Sequence, residues 1–353
     1  MKLPALLTVA VLLTGCSSDS SDPPADGAED TFVAPADANE GTPDTSAAPD
    51  TPTPPQDSAG GEPDISEPDT SEPTEVTHRV EIGGWSMTPG EETTRCVVLA
   101  VGNETAVSIN AIRTKLAPGS HHLIVYRTND PVNNTPVKCE PFSDTLSSQP
   151  LMISEIPEET LQLPKGVALD LDANQHVRLE VHYLNYFPED IEAHASVEFV
   201  VLPDDEVESK ANMVLYGTSN FFVPPGGSQT TPWSSFDMPN GSQIYAVTGH
   251  THQWGTNVDI EVTRAGGDPE AIYPGDTPFV WAEAPVKEFS PALTMAPGDG
   301  LRMRCSWQND SDKGVTFGLS AKAEMCVLWA YYYPSTGYQI CIDGLFPTCP
   351  SDD

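Results

Sequence analysis

The stretch Val177-Arg178-Leu179-Glu180-Val181-His182-Tyr183 reads as a β-strand. Successive side chains of a strand point to opposite faces, so Leu179 and Val181 turn to an apolar layer while Glu180 and His182 share the other side. Runs of the same kind, rich in β-branched and aromatic residues, recur at Arg95 to Val101, His122 to Tyr126, Ala195 to Leu202, Gln243 to Thr248, Asn257 to Val262 and Met325 to Tyr333. Pro, Gly, Asn and Asp separate them, and helical periodicity is nearly absent. Strands spaced this way predict an all-β chain built of antiparallel sandwiches or barrels. The polar segment 203–210 follows one of these runs and is the best candidate for a boundary, which predicts tandem domains at 77–203 and 211–353.

The region before residue 77 has a different composition. Lys2 precedes a short apolar stretch from Leu3 to Leu13, too short to span a bilayer as a mature helix, and Leu13-Thr14-Gly15-Cys16 follows. That tetrad resembles the bacterial lipobox. It predicts a signal peptide over 1–15, a lipid on Cys16 and a membrane anchor in the bacterial cell envelope. Ser17, where an inner-membrane retention signal would place Asp, points to the outer membrane. From Ser17 to Glu75 the chain has no Lys or Arg and almost no large apolar residue. Such a segment buries too little surface to offset its ordering entropy, so 16–76 is expected to be a disordered, extended tether.

The 353 residues carry 52 acidic against 16 basic side chains, a formal net charge of −36. No basic cluster interrupts the acidity, which excludes nucleic acid as a partner because phosphate needs a positive patch. With Cys16 assigned to the lipid, Cys96, Cys139, Cys305, Cys326, Cys341 and Cys349 remain. An even number in an exported chain suggests disulfides, in one of many possible connectivities. No C-x-x-C pair is present, which argues against a thiolate zinc site.

Of the eight histidines, five fall in three settings: His121-His122, His182 and His250-Thr251-His252. Neutral imidazole is the commonest nitrogen ligand for copper and zinc, and clusters so far apart in sequence suggest two metal positions. His250 and His252 can share a face of a strand, and Gly249 and Gly255 permit close backbone approach there. Adjacent His121 and His122 converge on one ion only if the backbone bends, for which Pro118-Gly119 provides. Met325, in Glu324-Met325-Cys326, adds a soft thioether that suits Cu(I).

Taken in order, His-His, a later His, His-x-His and Glu-Met-Cys resemble the copper type II, ascorbate-dependent monooxygenases, the family that includes peptidylglycine α-hydroxylating and dopamine β-monooxygenases. Val181-His182-Tyr183, Cys305 and Tyr331-Tyr332-Tyr333-Pro334 add to the likeness, which covers roughly residues 78–340. The resemblance implies two tandem antiparallel jelly-roll sandwiches and two copper ions. One would be held by His121, His122 and His182 for electron transfer. The other would be held by His250, His252 and Met325, where dioxygen reacts. It implies ascorbate or another one-electron reductant, a small-molecule substrate and dioxygen. It also implies the pairs Cys96–Cys139 and Cys305–Cys326, which leaves Cys341–Cys349.

The likeness fails at the substrate. Peptide-hydroxylating members carry an Arg two residues before the His-x-His pair, where this chain has Thr248. They carry an Asn and a Tyr two and four residues after the ligand methionine, where this chain has Val327 and Trp329. A carboxylate would lose its charge-assisted partner, so glycine-extended peptides are not expected as substrates, and Val327 with Trp329 could line an apolar or aromatic pocket. The alternatives are a non-catalytic copper-binding lipoprotein for storage or sensing, and a structural double jelly roll that binds glycans or partners.

Overall fold

Alternating apolar and polar residues produce strands throughout and no α-helix among the described residues. The structure is a computed structural model that describes residues 75–142, 148–320 and 322–345. The expected signal peptide, Cys16, nearly all of the tether and Cys349 lie outside those residues.

In chain order the strands are β1 (Thr77–Met87), β2 (Glu92–Ala100), β3 (Val107–Leu116), β4 (Ser120–Thr128), β5 (Val137–Lys138), β6 (Gln149–Ser154), β7 (Glu158–Gln162), β8 (Val167–Leu171), β9 (His176–Leu184), β10 (Ile191–Leu202) and β11 (Ser209–Lys210). They continue with β12 (Asn212–Thr218), β13 (Phe222–Val223), β14 (Ser228–Thr230), β15 (Ser234–Asp237), β16 (Gln243–His250), β17 (Gly255–Thr263), β18 (Glu270–Tyr273), β19 (Lys287–Thr294), β20 (Gly300–Gln308), β21 (Val315–Thr316), β22 (Val327–Tyr333) and β23 (Gln339–Asp343). Every run expected to be extended coincides with one of them, but Met325 and Cys326 precede β22 rather than opening it.

The strands up to Lys210 make two sheets, ordered β1-β10-β3-β8-β11 with β7 also on β3, and β5-β2-β9-β4-β6. Those after it make a sheet β19-β16-β22-β12-β23, a sheet β14-β20-β17-β18 with β15 on β20, and the small pair β13-β21. Pairing is antiparallel except for β11 with β8 and β12 with β23. No sheet mixes strands from before and after Ala211. Segment 203–210 is itself tied down: β11 pairs with β8, and the Lys210 ammonium donates to Ser108 and Asp170. Both sets of sheets belong to the same compact unit.

The period of two explains how they stack. Along β22, Val327, Trp329 and Tyr331 join the core that contains Leu179, Val181 and Tyr183 of β9. Leu328, Ala330 and Tyr332 point the other way, into the core shared with β17 and β20. β12 divides likewise, with Met213 and Leu215 on one side and Val214 and Tyr216 on the other. This sheet is therefore buried on both faces, which is why β22 shows no apolar–polar alternation. Each large apolar side chain so buried contributes about 1.5–3 kcal/mol. Cys96–Cys139 and Cys305–Cys326 are both formed, as the resemblance implied.

Candidate metal centre

His182 stands in the middle of its sheet, between β2 and β4, and lies directly across from His122 on β4. Two residues of β4, His121 and His122, oppose a single step of β9, because the register shifts between Ser120 and His122. A bulge of this kind turns a side chain off its regular face, and it brings the adjacent histidines together. Gly119 leads into it at φ +86°, and a Cβ there would lie 2.4 Å from Ile191 Cδ1. The expected backbone bend is thus present and is made by the glycine and the bulge. The three imidazole centroids stand 5.4, 5.4 and 5.3 Å apart, and one nitrogen from each lies within 4.8 Å of the others.

The hydrogen bonds select the nitrogens that remain. His182 Nε2 donates to Glu92 Oε1 at 2.9 Å, which leaves its Nδ1 lone pair. Both ring nitrogens of His122 are buried and have no hydrogen-bond partner, the Glu180 carboxylate standing 3.8 Å from Nε2. Orphaned buried polar atoms call for an unseen ligand. Burial and then the neighbouring imidazoles hold His121 down to about 3 and His122 well below the usual histidine range. Burial also lowers His182, against the pull of Glu92. The rings are therefore neutral at pH 7, the form that ligates metal.

The second group forms at the end of β16. His250 is its last residue and His252 lies beyond it, so the pair sits at a strand end and not on one strand face as the spacing suggests. The chain turns back tightly at this point: a Cβ on Gly255 would stand 1.7 Å from Thr251 Oγ1, so only glycine fits. The two rings are 5.2 Å apart and nearly perpendicular. His250 Nδ1 is 2.8 Å from Glu155 Oε1, and His252 Nδ1 is 3.0 Å from the Ala323 carbonyl. Each ring is thus engaged at Nδ1, and His250 Nε2 is buried with no hydrogen-bond partner. Burial holds both histidines at about 3 and raises the Glu155 carboxyl to about 8, against the Ala284 N–H that it accepts.

Glu324 binds Met325's segment to this turn. Its carboxylate accepts the His252 and Trp254 backbone N–H groups and the Trp307 indole N–H, each at 2.8 Å. Met325 is 3% exposed, and the Cys305–Cys326 disulfide ties the next residue to β20.

The two groups face each other across one phenyl ring. Phe142 lies 5.2 Å from His122 and 5.4 Å from His250. Its backbone is left-handed, φ 54°, which is costly for a bulky side chain. Its N–H donates to Glu180 Oε1 at 2.8 Å, and burial raises that carboxyl to about 7. From the loop between β18 and β19, Trp281 packs edge-on against His121.

The three expected substrate residues surround His250. Val327 is its cross-strand partner, and Thr248 is that of Trp329. Thr248 Oγ1 donates to the Pro285 carbonyl, so its hydroxyl is committed. Trp329 is 1% exposed and lies 5.8 Å from His250, with its indole N–H unpartnered. It is a core residue that also walls the histidine. Glu92, Glu155, Phe142 and Trp281 were not anticipated. An acid set between the apolar Leu151-Met152-Ile153 and Ile156 was the available sign for Glu155, whereas nothing in the polar loop around Phe142 marks it.

Residues 216–348 match the family model of the copper type II ascorbate-dependent monooxygenase C-terminal domain. Among curated relatives, a human putative DBH-like monooxygenase protein 2 is 24% identical over 63% of this chain and 48% of its own length. Dopamine beta-hydroxylase of the dog is 30% identical over 31% of this chain and 17% of its own. Tyramine beta-hydroxylase of Caenorhabditis briggsae is 24% identical over 72% of this chain and 48% of its own. The chain thus spans half or less of the length of these relatives.

Proposed function

We propose, for a chain that belongs to the copper type II ascorbate-dependent monooxygenase family, that it hydroxylates a C–H bond of a small apolar or aromatic molecule with dioxygen and a one-electron reductant such as ascorbate. His121, His122 and His182 would hold one copper ion, and His250, His252 and Met325 a second. The observation that carries the reading is the pair of buried, neutral histidines, His122 and His250, whose unpartnered nitrogens lie on either side of Phe142. Copper at these positions would supply one-electron storage at each and activation of dioxygen at the second.

The residues divide the work. The triad is fixed by strand register, so its imidazoles need not reorganise when the charge of a bound ion changes. Two imidazoles with a thioether would favour Cu(I). Phe142 and Trp329 are buried beside the histidines and Trp281 packs on His121, apolar surface that would keep water from bound copper. No cation stands where a carboxylate would be gripped: Thr248 is committed to Pro285, and Val327 and Trp329 are apolar. This supports a substrate other than a glycine-extended peptide. Relatives named for dopamine and tyramine hydroxylation support a small aromatic one.

The test is metal analysis of the full chain, followed by ascorbate-dependent oxygen uptake over a panel of phenethylamines, other aromatics and a glycine-extended peptide. Two coppers per chain and turnover of an aromatic member are expected. Met325→Ile should keep the first copper and lose turnover by roughly 100-fold or more, the scale of a lost metal-site group. Absence of copper, or full turnover by Met325→Ile, would overturn the assignment.

A further inference from the structure

Glu155 follows β6, in the sheets formed before Ala211, yet both hydrogen bonds of its carboxylate come from residues after Ala211, the end of β16 and the loop between β18 and β19. Oε1 meets His250 Nδ1 at 2.8 Å, and Oε2 accepts the Ala284 N–H at 3.1 Å. These partners are 95 and 129 residues away in sequence. The side chain is 5% exposed and His250 1%, so water does not replace either bond.

His252 makes a useful contrast. Its Nδ1 is held by the Ala323 carbonyl, which belongs to the same set of strands as the ring itself. One imidazole of the pair is thus oriented locally and the other across the seam. An imidazole that ligates through Nε2 must carry its proton on Nδ1 and needs an acceptor there, and such outer carboxylates fix both tautomer and ring orientation. The carboxylate of Glu155 has an oxygen for each of its two donors, one toward His250 Nδ1 and one toward the Ala284 N–H.

We propose that Glu155 is a positioning residue that assigns His250 Nε2 to the second metal only while the two sets of sheets are packed as seen here. The inference rests on the metal reading above. It makes ordering of the second position and packing of the seam one thermodynamic event, so that metal at His250 favours the packed form and the packed form favours metal. At the first position the orienting hydrogen bond stays within one sheet, because Glu92, which orients His182, lies on the neighbouring strand, and only the Trp281 ring reaches His121 from the other side.

Glu155→Gln is the informative substitution. An amide has one acceptor oxygen for two donors, so either Ala284 N–H or His250 Nδ1–H faces an N–H₂ group. Gln149→Ala is the control: it removes another bond across the seam, Gln149 Nε2 to Asn212 Oδ1 at 2.9 Å, without touching a histidine. The full chain and both variants are titrated with Cu(I) against a competing chelator. Imidazole nitrogen NMR on the diamagnetic Cu(I) forms then reports which His250 nitrogen carries the proton.

Glu155→Gln should weaken one of the two copper positions roughly 10–100-fold, shift the His250 signals and leave the triad unchanged. Gln149→Ala should leave both affinities and the His250 signals in place. Equal weakening by the two variants would reduce Glu155 to seam packing and overturn the proposal, as would an unchanged second affinity in Glu155→Gln. A wild-type chain that takes up no copper overturns the metal reading and this inference with it. Two coppers in the wild type with no effect of Glu155→Gln overturns the inference alone.

Discussion

The two histidine groups are assembled differently. His121, His122 and His182 come from adjacent strands of one sheet, and the bulge at the start of β4 sets their spacing. Every backbone position in that group is fixed by the ladder that forms the sheet. His250 and His252, and Met325 as the proposed third ligand, come from a strand end, a turn and a segment that precedes β22. Their order derives from side-chain bonds to Glu155 and Glu324 and from a disulfide. A site written into a ladder is formed when the sheet forms. A site written into side-chain bonds depends on more distant contacts and can be loosened without unfolding the sheet.

The strongest test of that difference removes a ligand from the ladder. In His182→Ala the triad keeps two imidazoles, and its copper affinity should fall more than about 100-fold, beyond the range for loss of an outer partner. Copper per chain should drop to one, with the strands around the site intact by circular dichroism. Loss of both coppers would show that the groups are not separately assembled.

The disulfide provides the second test. Replacing Cys305 and Cys326 together by serine releases a closure spanning 21 residues. Urea unfolding should show a loss of about 3 kcal/mol. Copper titration should show weakening at the position of Met325 and none at the triad. If both positions weaken alike, the bond stabilises the whole fold and does not particularly hold the methionine.

The same contrast explains what could be read in the sequence. Strands were legible because their period of two and their turn residues are local properties, and Val177 to Tyr183 predicted β9 nearly to the residue. The triad was legible as histidines and needed only the bend that Gly119 announced. His250 and His252 were legible as a pair, but their placement at a strand end was not, because β16 stops where tertiary bonds to Glu324 take over. Glu155 and Phe142 act through residues far off in the chain, and no local period records such a contact. The double burial of β22 was visible only as a missing alternation, which a buried strand of any sheet would show equally.

The smallest effect concerns the seam at a distance from the histidines. Glu159 of β7 lines a small crevice with Met152, Val286, Glu288 and Tyr331, so carboxylates from both sets of strands face one another there. Burial raises the Glu159 carboxyl to about 7, Ser154 donates against that trend, and the charges of Glu155 and Glu288 add to it. Glu288 is raised as well, by burial. The sign follows from proton counting. Between the ordinary carboxyl value near 4.5 and about 7, the folded chain holds a proton at Glu159 that the unfolded chain has lost. The contribution of Glu159 to stability therefore falls as pH rises through that window, whatever the buried histidines add in the opposite sense below pH 6.5. Glu159→Gln, which stays neutral, should remove this contribution, so that its thermal stability relative to the wild type rises from pH 5 to 8. It should also reduce any weakening of copper at His250 over the same range, since that position alone draws a ligand's orientation from across the seam. An undiminished slope in Glu159→Gln would place the pH sensitivity elsewhere. A matching slope in copper affinity at the triad would remove the distinction between a site held by its own sheet and a site held by the contact of two.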